Sequence, residues 1–439
     1  MKLSQCSLLL AYATAVQAAT GIHSNLRREN LTSNATIQLS ADPDFHYELL
    51  RVISLAPYQG ADIGEVLVAA QKIKPKDFES FYHVFNDLAT RVDNTARAID
   101  ARKNPISARQ QFFKAATYYR SADFFLHGNW SDPRIYSLWD RHLAAFNSAI
   151  ALLPVPGQRI NLRAKNGEFT VPAIFYGTGM PGPRPTIILG NGYDGAQEEM
   201  YHVIGQAALQ RGMNVLSYEG PGQPTVRREQ NLGFIPDWER VVTPVIEYLL
   251  TRPEVDSRAI GLLGYSLGGY LAPRAAAFDH RLAAVFAVDG VYDYGAANLD
   301  MYPESLRAIF RSGNATLFNE YVEQGLADPA AKTAAIWGVQ QGLWSFNVQT
   351  PFEWMTKLKD FNLASVVRNI TAPVFVAQAE HDDVIPGQSK ILAEKLGKLA
   401  THRIFESVDG ATYHCSVGAS VLQNQVLLDW FEGVLEKRR

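Results

Sequence analysis

From about residue 158 the chain stops repeating every three or four residues and begins to alternate. Short, largely apolar runs fall at 186–189, 214–218, 260–263, 284–288 and 374–377, and helical patterns separate most of them. Strands apolar on both faces need cover on both faces. Alternated with helices, they predict an α/β class with a mostly parallel sheet between helical layers. Ahead of them, 159–163 and 169–176 flank Asn166 and Gly167, a hairpin-turning dipeptide.

The first third has a different period. Phe78, Phe81, Val84, Phe85, Leu88, Val92 and Ile99 are spaced by three, four or seven, which keeps them on one helical face. A second helix follows Pro105, with Phe112, Phe113, Ala116, Tyr119 and Phe124 as its apolar side. A third runs over 133–152, before Pro154, Pro156 and Gly157. No fixed-period repeat emerges. The expected organisation is a helical N-terminal domain at 41–157, a sheet-containing core at 158–292 and 366–439, and a helical cap at 293–365, an interval too long for a plain loop. A chain of 439 residues has room for all three.

Residues 1–18 match a secretory signal: Lys2 at the charged start, an apolar stretch at 8–15, then Val16, Gln17 and Ala18 as a small-residue cleavage site. A polar lead-in at 19–40 follows. Five glycosylation sequons agree with that route, at Asn30, Asn34, Asn129, Asn314 and Asn369. With Cys6 inside the leader and Cys415 the only other cysteine, no disulfide framework is expected. Net charge is −3 without a run of like charge, so nucleic acid is not an expected partner. No later stretch reaches 18 uninterrupted apolar residues, so no membrane span is expected. Hydrophobic residues at 47% and charged residues at 19% exclude disorder and fibrous classes.

The chemistry concentrates at Gly264, Tyr265, Ser266, Leu267 and Gly268, placed between a predicted strand at 259–263 and a predicted helix at 270–278. Small residues two positions either side of a serine permit the sharp turn that projects its hydroxyl, so Ser266 is the expected nucleophile. A serine needs a base, and the base an orienting acid, in the chain order serine, acid, histidine. After the strand at 374–377 come Asp382 and Asp383; Asp382 is preferred, with Asp383 and Asp289 as alternatives. Of the ten histidines, His402 and His414 follow that acid with room for a strand. His402 opens the expected last strand at 403–408, and His414 lies in the loop beyond it, so His414 is the expected base. The amide of Leu267 and one from the loop of Gly190, Asn191, Gly192, Tyr193 and Asp194 would form the oxyanion hole, Tyr193 first and Gly192 second. The turn 219–223 reads as a plain turn, since no Gly-Lys-Ser/Thr follows it. Cys415 reads as packing.

Together, 192–199 (GYDGAQEE), 219–223 (EGPGQ), 234–238 (FIPDW) and 264–273 (GYSLGGYLAP) resemble a branch of the α/β-hydrolases whose fungal members trim or rearrange polyketides. Its members include the heptaketide chain-shortening hydrolase of melanin pathways and the hydrolases of fusarin and cytochalasan clusters. A bacterial relative, 2,6-dihydropseudooxynicotine hydrolase, cleaves a carbon to carbon bond beside a ketone. The resemblance spans about 40 to 435 and implies the α/β-hydrolase fold with a helical N-terminal domain and a cap. It implies the triad Ser266, Asp382, His414, and a substrate-binding role for Asp194, where the bacterial relative carries a functional acidic residue.

The expected activity is serine-dependent hydrolysis of an activated carbonyl, an ester or a ketone carbon to carbon bond, in an apolar or aromatic polyketide-like molecule. The alternatives are acyl transfer or cyclisation by the same residues, and a non-catalytic small-molecule binder on the same fold. The nine aromatics between Tyr302 and Trp354 suit a pocket for a flat apolar substrate, though packing between cap helices accounts for most such residues. No cofactor and no metal are expected; the partners are the substrate and, at most, a second copy of the chain.

Overall fold

The computed structural model describes residues 36–438. The leader, Cys6, Asn30 and Asn34 lie outside the described residues. The other three sequons, Asn129, Asn314 and Asn369, are exposed.

Five helices come first: α1 (Pro43–Ser54), α2 (Ile63–Ala70), α3 (Phe78–Ala98), α4 (Pro105–Asp123) and α5 (Arg134–Ala151). Asp42, Asp62 and Asp77 cap the first three by accepting first-turn amides, and proline opens α1 and α4. The core begins with β1 (Gln158–Arg163), β2 (Thr170–Tyr176), β3 (Arg184–Gly190), α6 (Gln206–Gln210) and β4 (Asn214–Tyr218). Next come α7 (Pro224–Gln230), α8 (Glu239–Leu250), β5 (Val255–Tyr265), α9 (Gly268–Ala276) and β6 (Ala284–Val288). Cap helices α10 (Tyr294–Asp300), α11 (Glu304–Arg311), α12 (Ala315–Leu326), α13 (Thr333–Phe346) and α14 (Pro351–Leu358) intervene. The chain finishes with β7 (Val374–Ala379), α15 (Gln388–Leu396), β8 (Ala400–Phe405) and α16 (Ser420–Glu436).

The eight strands form one sheet in the order β1-β2-β4-β3-β5-β6-β7-β8. β1 and β2 pair antiparallel, β2 meets β4 antiparallel, and all other pairs are parallel. This is the α/β-hydrolase fold. Alternation along β3 divides the core: Ile187 and Leu189 join Phe113, Phe146 and Phe431 on one face, while Ile188 joins Trp238, Leu271 and Phe346 on the other. The N-terminal helices thus share the face of α16, and the cap shares the opposite one. Neither face of the inner strands β3–β7 is left wet, as near-continuous apolar strands require.

Two local expectations are corrected. Asn166 and Gly167 do not make a two-residue hairpin; the strands stop at Arg163 and Thr170, and Ala164 N–H bonds Phe169 O at 2.9 Å across a longer loop. The last strand is Ala400–Phe405, three residues earlier than 403–408, which puts His402 opposite Val376 inside the strand, its Nε2 2.9 Å from Gln378 Oε1. β8 is an edge strand exposed along most of its length, so it lacks the apolar run that marked the inner strands. In the cap, Phe318 packs against Tyr302, Phe310 and Phe352 with centroids 5.3–5.9 Å apart, so these four rings are occupied with one another.

Candidate active site

β5 runs into α9 through a turn at Ser266 that holds φ at 58°, a left-handed conformation in a residue other than glycine. The turn survives because its surroundings enforce it. Ser266 N–H bonds Val288 O at 2.9 Å, and a Cβ at Gly264 would overlap the carbonyl of Gly268. Only a glycine at 264 lets the helix start so close to the strand it leaves.

Topology brings the other two groups to the same sheet end. His414 follows β8 and Asp382 follows β7. His414 Nε2 lies 2.8 Å from Ser266 Oγ, and Nδ1 lies 2.9 Å from Asp382 Oδ1. A carboxylate only accepts, so Nδ1 carries the hydrogen and Nε2 is free to accept from the serine hydroxyl. Asp382 Oδ1 also accepts from the amides of Val384 (3.0 Å) and Ile385 (3.2 Å), which fixes the carboxylate to its own loop.

A second carboxylate is close by. Asp289, just past β6, places Oδ2 3.4 Å from His414 Nδ1. Its own oxygens accept from Ala379 N–H at 2.7 Å and from Cys415 N–H. Burial, with the Asp382 charge added, pushes Asp289 up to about 7. Burial works the same way on Asp382, but the facing His414 outweighs it and leaves that carboxyl below its usual range. On His414 burial acts downward; the Asp382 carboxylate overrides it and holds the imidazole well above its ordinary value. Burial pushes the Cys415 thiol up to about 11, so it stays protonated and packs.

The loop 190–194 lies against the serine. A Cβ on Gly192 would stand 2.6 Å from Tyr265 O and 3.0 Å from Leu267 N, so this approach needs glycine. Gly192 N–H bonds Asn191 Oδ1 at 2.8 Å, which engages it locally. Tyr193 is held from the cap, its hydroxyl donating to Gly338 O at 2.7 Å and its carbonyl accepting from Gln341 Nε2 at 3.3 Å. The turn 219–223 braces the loop from behind. Gln223 Nε2 donates to Asn191 O at 2.9 Å, and the buried Glu219 accepts from Gln197 N–H at 3.0 Å and Thr225 N–H at 2.6 Å.

Asp194 faces the N-terminal helices. Arg51 of α1 donates to Asp194 Oδ2 at 2.7 Å and to both oxygens of Glu199 at 2.7 and 2.6 Å. Arg120 of α4 adds a 3.5 Å contact to Asp194 Oδ2 and bonds the buried Glu48. Burial alone would raise Glu199, but Arg51 and Arg120 outweigh it and bring it down to about 2; in Glu48 burial wins and pushes the carboxyl up to about 6. From the same helix, Tyr47 donates its hydroxyl to His414 O at 3.2 Å. Sequence reasoning missed Tyr47, Glu48, Arg51 and Arg120. The one available signal was a charged pair three apart, Glu48 and Arg51, in a helix whose neighbours Leu49, Leu50 and Val52 are apolar.

The "Alpha/beta hydrolase family" matches residues 187–417, from β3 past His414. Hydrolase LUC6 of a Fusarium species is 29% identical, with 90% of this chain and 97% of that protein covered. The 20-hydroxy-prefusarin hydrolase FUS2 of Gibberella moniliformis is 28% identical over the same shares. Among solved structures, the 2,6-dihydroxy-pseudo-oxynicotine hydrolase superposes with a TM-score of 0.69 at 22% identity, covering 88% of this chain and 95% of its own, a likeness of fold. With more than half of its length matched by the family, this chain belongs to the α/β hydrolases and is a hydrolase.

Proposed function

We propose that the enzyme is a serine hydrolase acting on an activated carbonyl of a polyketide-like secondary metabolite. What carries the reading is the unbroken line of hydrogen bonds from Asp382 through His414 to Ser266, at 2.9 and 2.8 Å. Ser266 Oγ attacks the carbonyl carbon while His414 Nε2 takes the hydroxyl proton, and Asp382 fixes the tautomer and faces the imidazolium that forms. The amides of Leu267 and Tyr193 receive the developing oxyanion. His414 then returns the proton to the leaving group, an alkoxide from an ester or an enolate from a β-diketone, and water releases the acyl group by the same steps reversed.

The substrate class rests on the relatives. FUS2 is by name a hydrolase of 20-hydroxy-prefusarin, and it matches over nine-tenths of this chain. The ring of Tyr193, with those of Tyr294, Trp337 and Phe346 at 6.1–6.4 Å, supplies an apolar wall beside the serine. Asp194 Oδ1 accepts from a substrate hydroxyl or enol, since Oδ2 is held by the arginines.

Two measurements test this. A fluorophosphonate probe labels the wild type and spares Ser266→Ala; an unlabelled, folded wild type rejects the nucleophile and favours a binder. Matched panels of aryl esters and β-diketones, with products resolved by mass, separate ester from carbon to carbon cleavage, and ring-closed products select cyclisation. We also propose secretion after removal of the leader, with glycosylation at one or more of the five sequons; an unchanged mass after endoglycosidase treatment of native protein rejects the glycosylation.

A further inference from the structure

We propose that Asp289 is a second positioning carboxylate for His414, standing beside the Nδ1 bond to Asp382 and able to take up the Nδ1 hydrogen and hold the imidazole when the Asp382 charge is removed. The inference rests on the serine mechanism proposed above and extends it.

The geometry is specific. Nδ1–H points at Asp382 Oδ1 at 2.9 Å, but Asp289 Oδ2 is only 3.4 Å from the same nitrogen, in a side chain 1% exposed. The two acids reach it from neighbouring strands, Asp289 from the end of β6 and Asp382 from the loop after β7. Asp289 is firmly placed. Its φ is 46°, left-handed for a residue with a side chain, and each oxygen accepts a backbone amide, Ala379 from β7 and Cys415 from the loop of His414 itself. Cys415 also has a left-handed φ, of 57°, in the turn that presents its amide. The loop that carries the base is therefore tied to the second acid at the residue next to the base. A Cys415 thiol that stays protonated adds no competing charge.

Two carboxylates on one N–H at these distances do not both need to be ionised, because each disfavours the other's charge. Asp382, with three donors on one oxygen, is the better-stabilised anion. Asp289 is the reserve. When Asp382 loses its charge, the repulsion that disfavours an ionised Asp289 is lifted, and the imidazole 3.4 Å away favours the Asp289 carboxylate against the cost of its burial.

The test is Asp382→Asn. The substitution removes the charge and leaves a side chain of the same shape beside the amides of Val384 and Ile385. In a triad with a single acid, the equivalent change lowers kcat by about 10⁴ through the wrong tautomer. Here Asp382→Asn is expected to keep kcat within about a hundred-fold of wild type, with KM unchanged, and Asp382→Asn/Asp289→Ser to fall by about 10⁴. The acid limb of kcat/KM moves down in the single variant and further in the double, a shift that a purely structural Asp289 would not produce. An Asp382→Asn enzyme that melts like wild type but has lost about 10⁴ in kcat overturns the proposal. Should that variant not fold, Asp382→Ser, whose hydroxyl can accept from the same amides, takes its place with the same two outcomes. Failure of the serine mechanism is a separate result, since Ser266→Ala and His414→Ala would then retain turnover.

Discussion

Arg51 Nη1 donates to Asp194 Oδ2 at 2.7 Å, and through that bond the first described helix holds the loop that lies against Ser266. Two residues on from Gly192, the loop has almost no freedom left. The guanidinium is also bidentate on Glu199, and Asn191 Nδ2 reaches the same carboxylate at 3.2 Å. The N-terminal helical domain is thereby part of the site, not an appendage to it.

Removing this guanidinium leaves Asp194 and Glu199 in a buried place with one arginine between them. Arg51→Met is expected to destabilise the fold by about 3–5 kcal/mol, the cost of an uncompensated buried charge, measured as a lowered thermal midpoint. Arg51→Lys recovers part of this but not the fork on Glu199. The pH dependence has a definite sign. Glu199 is depressed from 4.5 to about 2, so its contribution is present above 4.5 and lost as pH falls toward 2. Wild type loses melting temperature across that window, and Arg51→Met loses less.

In the proposed mechanism His414 must be neutral to accept the serine proton, so kcat/KM is expected to rise as pH climbs through its pKa. Asp382 holds that value well above the ordinary 6.5, which places the acid limb of the profile above 6.5 in wild type. A wild-type limb at or below 6.5, from initial rates across a constant-ionic-strength buffer series, contradicts the charge arrangement described.

The inner strands and the elbow were legible in the sequence because burial on both faces writes an apolar run, and a strained turn writes glycine at fixed offsets. Gly264 and Gly268 sit where contact leaves no room for a side chain at 264. The residues 382 and 414 were reachable by chain order alone. What was not legible comes from convergence. Asp289 was legible as an alternative to Asp382 but not as its neighbour at 3.4 Å from the same imidazole, which follows from β6 lying next to β7, and Arg51 meets Asp194 across 143 positions that carry no shared pattern. β8 went wrong for a simpler reason: an exposed edge strand has no apolar pattern to announce its start.

Gly192→Ala tests the oxyanion loop. The added methyl would stand 2.6 Å from Tyr265 O and 3.0 Å from Leu267 N, and none of these backbone atoms can yield as a flexible side chain would. The loop must retreat and carry the Tyr193 amide with it. Loss of one such donor costs about 10²–10³ in kcat. The expected result is a fall of that size with little change in KM, read from steady-state kinetics on the best ester of the panel.

Ser266→Gly separates strain from chemistry. At φ 58° an L side chain pays a conformational penalty of about 1–3 kcal/mol, while glycine visits that region freely. Substitution also removes the hydroxyl bonded to His414 and adds backbone freedom to the unfolded chain, both of which work against the gain. The strain term is the largest of the three, so the variant is expected to melt higher than wild type by an amount equivalent to about 1 kcal/mol, with labelling abolished. Ser266→Ala is the control, since it loses the same hydroxyl but keeps the strain. If alanine stabilises as much as glycine, the turn is not strained in solution, and the elbow's projection of the serine must be explained by packing alone.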